Sequence, residues 1–389
     1  MAQLTTPSEP AVFLVGGAVR DRLLNRPVKD RDFVVFGATE AEFLRRFPGA
    51  RKVGRRSPVY LYRGDEYTLS PAADILDDLA LRDLTINALA QDADGRIWAH
   101  PRAREDIDGK VLRPIAEKNF ISDPLRVFRV ARFAACMPDF NCHESVDAVV
   151  GRVRRAGLLG TVSAERVGQE TLKALAGPRP GTYLRFLADR DLMQPWFCEL
   201  AAFGQIPAGP APYHNESVLE HTMQVMDRLA GDPLQVWMGL CHDIGKTATD
   251  PDRWPAHHGH ERLGESLAGA LARRLRLPTR FAEAGAVASR WHMTLGRYRE
   301  LRPGTLVDLL IHLHRHRLVS QMARLVVADG GDDLAASLAG DLDTIMAVAL
   351  PAAQRGLGQD SGRVLRQLRC EALARRRRSI PSDERRNRK

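Results

Sequence analysis

The period of the apolar residues changes along this chain, and that change limits the folds open to it. Across roughly the first hundred residues, short β-rich runs at Ala11–Val15, Asp32–Phe36 and Val59–Tyr62 read as strands, and Thr39–Phe47 reads as a helix. From about Asp123 onward the pattern is almost wholly helical, with Pro/Gly clusters at Gly177–Gly181 and Ile206–Pro210 marking breaks. An α+β chain is expected, with a strand-bearing head, a helical remainder and a domain boundary at the second cluster. At 389 residues and 44% hydrophobic content it can bury a sizeable core in two or three domains. No fixed-period repeat requires a solenoid.

Lysine and arginine number 57 against 48 aspartates and glutamates, a net charge of +9, which suits a polyanionic partner. Part of the excess lies in Ala374–Arg378 and Arg385–Lys389, expected to form a solvated basic tail. The five cysteines, Cys136, Cys142, Cys198, Cys241 and Cys370, are odd in number and form no C-x-x-C pair, which argues against a disulfide framework or a thiolate zinc site. A reducing cytoplasm is the expected location. With no secretory signal and no apolar run near roughly 18 residues, a soluble protein with no membrane partner is expected.

Two N-terminal segments carry chemistry. Leu14–Asp21 (LVGGAVRD) reads as a strand ending in Gly16-Gly17 and entering a helix, a junction where bare backbone N–H groups approach phosphate and Arg20 adds a charge-assisted contact. Lys29–Val35 (KDRDFVV) reads as a strand whose alternation puts Asp30 and Asp32 on one face, about 6.5–7 Å apart. Two carboxylates so placed share divalent ions. Mg2+ takes its other ligands from water and phosphates, which suits nucleotidyl transfer by two metals.

Together with Arg82–Ala90 (RDLTINALA) and Asp123–Ala135 (DPLRVFRVARFAA), these ordered blocks resemble the polymerase-beta-type nucleotidyltransferase superfamily. More closely, they resemble the bacterial class II tRNA CCA-adding enzymes and their poly(A) polymerase relatives. The resemblance implies a nucleotidyltransferase head followed by a mainly α-helical neck and body. It also implies addition or repair of the tRNA 3′-terminal CCA from CTP and ATP without a nucleic-acid template. On this resemblance Asp30, Asp32 and Glu66 are catalytic, and Gly17, Arg20 and Arg82 contact nucleotide. Asp123 and Arg126 act as a protein template for the incoming base, and Arg129 and Arg132 match positions used for nucleotide or phosphate contact. Cytosine and adenine each offer an amino donor beside a ring-nitrogen acceptor, which a carboxylate and a guanidinium read together. The residues of Arg82–Leu89 read as a helical face, and Asp123-Pro124 also reads as a helix start.

Three departures bear on the reaction. Ser122 stands where the family usually has an acidic residue, Leu81 stands where a second arginine is common, and the Tyr67–Asp77 stretch is short where full CCA-adding enzymes carry a flexible loop. Loss of that loop is associated with enzymes that stop after CC, so termination at CC and poly(A) polymerase activity stand as alternatives.

Downstream, His221, Cys241–Lys246 (CHDIGK), His257–His260 (HHGH), His292 and Asp329 form a dispersed series that resembles the HD-domain metal-dependent phosphohydrolases. The resemblance implies metal ligands at His221, His242, Asp243 and Asp329, with His260, His292 and Lys246 as further ligands or phosphate contacts. It implies a divalent transition metal and hydrolysis of 2′,3′-cyclic or monoester phosphates. The expected division is 1–115 for the head, 116–208 for nucleotide recognition and tRNA binding, 209–348 for the HD domain and 349–389 for the basic tail.

Overall fold

The computed structural model of this chain describes residues 11–28, 30–54, 58–211, 214–356 and 358–379. Lys29 and the Arg385–Lys389 run lie outside these. The chain divides into two compact units, Met1–Val162 and Ser163–Lys389.

The first unit runs β1 (Ala11–Val15), α1 (Gly17–Leu23), β2 (Asp32–Phe36), α2 (Glu40–Arg46), β3 (Arg51–Val53), β4 (Val59–Tyr62), β5 (Asp65–Leu69), α3 (Ile75–Ala80), β6 (Leu89–Gln91) and β7 (Ile97–Ala99). Helices α4 (Ala103–Asp108), α5 (Glu117–Ser122), α6 (Leu125–Cys136) and α7 (Ser145–Arg155) follow, with a two-residue pair β8 (Val111–Leu112) and β9 (Asn141–Cys142) among them. Seven strands form one sheet in the order β3-β4-β5-β2-β1-β6-β7. Only β2 and β5 run parallel within it; the other pairs are antiparallel.

Alternation divides the work of β2 between two faces. Val34 and Phe36 join Val15, Ile75 and Leu79 in one cluster, while Val35 joins Phe43, Tyr60 and Tyr67 in the other. Helix α2 lies against the second face because Phe43 stacks on Phe47 and meets Tyr60 at 4.9 Å and Tyr67 at 5.7 Å between ring centroids. A capping box starts it: Thr39 Oγ1 accepts from the Glu42 N–H at 3.3 Å, and Glu42 Oε2 accepts from the Thr39 N–H at 2.8 Å.

The second unit is helical: α8 (Ala164–Leu175), α9 (Gly181–Asp189), α10 (Val218–Arg228), α11 (Pro233–Cys241), α12 (His260–Arg274), α13 (Thr279–Gly296), α14 (Pro303–Arg315), α15 (Val319–Ala328), α16 (Ala335–Met346) and α17 (Gln359–Ser379). Among the described residues, no helix is long and apolar enough to cross a membrane. Fully buried Trp237 on α11 donates its indole N–H to the Phe281 carbonyl at 2.8 Å, fixing α11 against α13.

Four local expectations change. The strand β2 begins at Asp32, so Asp30 precedes it and strand alternation does not place the two aspartates on a common face. Arg82–Leu89 is not a helical face but one 3₁₀ turn, Thr85–Asn87, leading into β6, because Thr85 N–H is drawn to the Arg113 carbonyl at 3.0 Å. Helix α6 starts at Leu125 with Pro124 at its cap, and Asp123 ends α5 instead. The run Ala374–Arg378 is not a solvated tail: it lies in α17, where Arg376 Nε donates to buried Asp341 at 3.1 Å and Arg377 donates to the Tyr298 and Leu301 carbonyls.

The division of the chain falls at Val162–Ser163, ahead of the second Pro/Gly cluster. Residues 163–208 belong with the downstream helices, since Asp227 on α10 accepts the N-terminal Gly181 N–H of α9 at 2.8 Å. Replacing Phe43 by Ala is expected to destabilise the sheet-bearing unit by about 3–5 kcal/mol, measured by urea denaturation followed by near-ultraviolet circular dichroism.

Candidate functional site

Asp32 opens β2 with Val15 of β1 on one side and Glu66 of β5 on the other as its paired positions. Directly paired residues of a sheet project to one face, so the two carboxylates stand together, both exposed to solvent. Arg31 ties this edge to β5 by two bonds to Asp65, at 2.8 and 2.9 Å. Thr68 and Val34, one alternation further, continue the face, and all four residues line a cleft of about 420 Å³. Asp30 is exposed and not among the described residues lining that cleft. At the end of β1, Gly16 takes φ +69°, a left-handed value that glycine adopts without penalty, and its N–H donates to the Leu89 carbonyl at 2.9 Å.

The opposite wall carries the arginines. Arg82 donates to Asp78 Oδ2 from Nε at 3.0 Å and from Nη2 at 2.6 Å, which orients its guanidinium at the rim. Asp123 and Arg126 both line the cleft, one at the end of α5 and the other in the first turn of α6. Arg126 Nη1 is buried without a hydrogen-bond partner, and burial lowers the pKa of this guanidinium. A desolvated donor left open in a cleft calls for an acceptor on a ligand.

Other expected contacts are committed elsewhere. Arg20 is buried, donating to Asp21 Oδ1 at 2.9 and 2.8 Å and to Asn87 Oδ1 at 2.7 Å. Arg129 Nε donates to Asp83 Oδ2 at 2.6 Å, although Arg129 also lines the cleft. Arg132 lies over the Phe133 ring at 4.0 Å, and neither it nor Gly17 is among the described lining residues. Burial opposes ionisation of Asp83, but Arg129, Asn87 and the Leu84 N–H outweigh it and hold the carboxyl well below the usual range. Sequence reasoning missed Asp78; its four-residue spacing to Arg82 was the available signal.

In the second unit, the expected histidines and aspartates do converge. His221 Nε2 lies 3.2 Å from His242 Nε2 and 2.9 Å from Asp329 Oδ1. His242 Nε2 lies 3.2 Å from Asp243 Oδ2. The other oxygen, Asp243 Oδ1, faces His260 Nε2 at 3.3 Å and His292 Nε2 at 3.5 Å, and those two nitrogens are 3.2 Å apart. The glycines permit this approach: a Cβ on Gly245 would run into the His260 carbonyl and the Gly264 N–H.

The chemistry of this donor set fits a cation. Nδ1 of His242, His260 and His292 faces the carbonyls of Gly239, His257 and Ser289 at 2.6, 2.7 and 2.9 Å, which assigns the proton to Nδ1 and leaves Nε2 as a bare donor. Two bare nitrogens 3.2 Å apart need a positive group between or beside them. Burial disfavours the protonated form of His242, yet Asp243 and Asp329 outweigh it and raise its pKa to about 10, so a proton competes with a metal ion for Nε2. Lys246, also expected at a phosphate, is buried and donates to Asp243 Oδ2 at 2.5 Å and to the Ala208 carbonyl at 2.6 Å. His214 and Glu216, which the motif reading passed over, lie beside His221 Nδ1, with Glu216 Oε1 3.5 Å from it. The His214 hydrogen bond holds the Glu216 carboxyl down at about 2.

Three family models match successive parts of the chain. Residues 12–61 match the family described as "Poly A polymerase head domain", residues 153–203 "Probable RNA and SrmB- binding site of polymerase A", and residues 213–319 "HD domain". The chain is similar to the multifunctional CCA protein of Methylococcus capsulatus, with 37% identity over 326 residues, 77% of this chain and 76% of that protein. It is also similar to the multifunctional CCA protein of Pseudomonas aeruginosa, with 34% identity over 402 residues, 93% of this chain and 97% of the relative. Its fold resembles that of the Thermotoga maritima CCA-adding enzyme complexed with tRNA, at TM-score 0.59 and 19% identity, covering 94% of this chain and 87% of that one. A CCA-adding enzyme complexed with CTP gives TM-score 0.62 at 18% identity over the same shares. Replacing His242 by Ala is expected to weaken Mn2+ binding to the chelator-treated full chain by more than about tenfold, read by isothermal titration calorimetry.

Proposed function

The chain belongs to the multifunctional CCA protein family, and from that premise we propose that it adds and repairs the 3′-terminal CCA of tRNA, using CTP and ATP without a nucleic-acid template. The observation that carries this reading is the cleft itself. Asp32 and Glu66 stand as paired carboxylates on one wall, and the buried, unpartnered Arg126 Nη1 stands on the other.

Arg126 donates to the ring nitrogen of the incoming base while Asp123 accepts from its amino group; uracil and guanine present a carbonyl there and leave both protein groups mispaired. Arg82, steadied by Asp78, meets the nucleotide at the rim. The Gly16-Gly17 turn lets backbone approach the phosphates. Asp32 and Glu66, with Asp30 from the preceding segment, are the hard oxygen donors that would hold Mg2+, which supplies charge stabilisation for phosphoryl displacement when bound. We assign catalysis to these three residues.

The histidine cluster supports a second activity, metal-dependent hydrolysis of 2′,3′-cyclic or monoester phosphates. His221, His242, Asp243 and Asp329 would hold a divalent transition metal, with His260 and His292 on the far side of Asp243. By function we divide the chain into 1–115 as head, 116–208 as the nucleotide- and tRNA-binding region, which straddles the structural division at Val162–Ser163, 209–348 as HD domain and 349–389 as a basic end. A cytoplasmic site of action accords with a tRNA substrate and five free cysteines.

Addition through to the terminal A is favoured over arrest at CC or repeated adenylation, because the relatives are multifunctional CCA proteins. The short connection between β5 and α3, where Ser70 Oγ donates to Asp78 and accepts the Ala72 N–H and Asp74 accepts the Asp77 N–H at 2.9 Å, is the one feature on the side of arrest at CC. A tRNA transcript lacking its last three nucleotides, incubated with CTP and ATP and then sequenced, is expected to end in CCA; uniform ends at CC would overturn the final step. In the same assay Asp32→Asn is expected to slow incorporation about a thousandfold, the size of effect that several kcal/mol of lost charge stabilisation produces.

A further inference from the structure

The four clustered histidines of the second unit do not share one kind of support. Nδ1 of His242, His260 and His292 faces the carbonyl of the residue three positions earlier, Gly239, His257 and Ser289. His221 differs: its Nδ1 has Glu216 Oε1 at 3.5 Å, while its Nε2 lies 2.9 Å from Asp329 Oδ1 and 3.7 Å from Asp243 Oδ2. The contact to Glu216 is longer than the three carbonyl contacts, but a full negative charge acts strongly at that distance beside a buried ring.

Glu216 is itself held in place. Oε1 meets His214 Nδ1 at 3.0 Å, and Oε2 accepts the Asn215 N–H at 3.0 Å. Its main chain is tied to the Pro/Gly cluster at Ile206–Pro210: the Ala208 N–H donates to the Glu216 carbonyl at 2.9 Å, and the Val218 N–H donates to the Ile206 carbonyl at 2.8 Å. That cluster is pinned to the metal-binding residues in turn. Lys246, which donates to Asp243 at 2.5 Å, also donates to the Ala208 carbonyl at 2.6 Å, and His257 Nε2 lies 2.7 Å from the Pro207 carbonyl. Gly209 leaves room for the His214 ring, since a Cβ there would lie 2.6 Å from His214 Cδ2. Glu216 is thus fixed to the same Asp243 that the histidines surround.

Resting on the metal-binding reading of this cluster given above, we propose that Glu216 is its positioning residue for a divalent transition metal. The carboxylate keeps the His221 proton on Nδ1 and turns a bare Nε2 toward the space shared with His242, Asp243 and Asp329. A carboxylate partner also makes the imidazole a stronger donor than a carbonyl partner does. With its oxygens turned to His214, Asn215 and His221 Nδ1, Glu216 acts through His221 and not as a ligand.

The test titrates Co2+ into the chelator-treated full chain, because the visible absorption of Co2+ among imidazoles separates this centre from the oxygen donors of the first unit. Glu216→Ala is expected to weaken binding about ten- to a hundredfold, the loss usual for a partner behind a metal ligand. Glu216→Gln keeps an acceptor without the charge and is expected to lose about three- to tenfold, with the thermal unfolding midpoint of the metal-free chain unchanged. This milder variant carries the same comparisons if Glu216→Ala does not fold. In a chain that already carries His221→Ala, either change at Glu216 is expected to alter the affinity by less than about twofold, since nothing is left to position. Undiminished Co2+ affinity in Glu216→Ala and Glu216→Gln, or losses that multiply when either is combined with His221→Ala, would overturn the proposal. Failure of the unsubstituted chain to take up Co2+ at this centre would overturn the metal reading of the cluster, and the proposal with it.

Discussion

Much of the first unit follows from the parallel pairing of β2 with β5. Parallel neighbours cannot be joined by a hairpin, so the chain between them has to leave the sheet and return, and it does so through α2, β3 and β4. That crossover brings Glu66 beside Asp32 and, on the opposite face, Tyr67 beside Phe33, whose rings stack at 4.8 Å. One register therefore sets both the carboxylate edge and the aromatic core that supports it. A slip by one residue would bury the carboxylates and expose the rings, so the apolar face enforces the polar one.

In the second unit a single carboxylate plays the comparable part. Asp243 offers one oxygen to His242 and Lys246 and the other to His260 and His292. Burial works against its charge, but Lys246, His242 and the other imidazoles more than compensate and keep it ionised. So dense a polar centre in a helical interior is unfavourable unless every lone pair and proton is matched, and carbonyls on Gly239, His257 and Ser289 supply the matches on the outer side of the rings. The inner side is shaped for a cation.

Three strands of the first unit were legible in the sequence at their full extent. Ala11–Val15, Asp32–Phe36 and Val59–Tyr62 are strands at those bounds, and α2 occupies the helix expected around Thr39–Phe47, because alternation and capping are local properties. The cleft residues Asp32, Glu66, Arg82, Asp123 and Arg126 were also legible, and they come together. Asp30, Arg20 and Arg132 were chosen by the same motifs and do not line that cleft among the described residues. Charge near a motif does not reveal which partner will claim it; Arg20 is claimed by Asp21 and Asn87, the latter 67 positions away. The arginines of α17 went unread for the same reason, since buried Asp341 lies far from them in sequence.

By itself the sequence determined the α+β class, the order of the chemical blocks and the kinds of side chain available to each site, since periodicity and residue identity are written along the chain. Only the tertiary structure decided which charges are spent on one another and which stay open. Arg129 and Arg126 are three residues apart on one helix with identical chemistry, yet one is bound to Asp83 and the other keeps a bare, buried Nη1 in the cleft. That difference comes from the residues that packing brings opposite each of them.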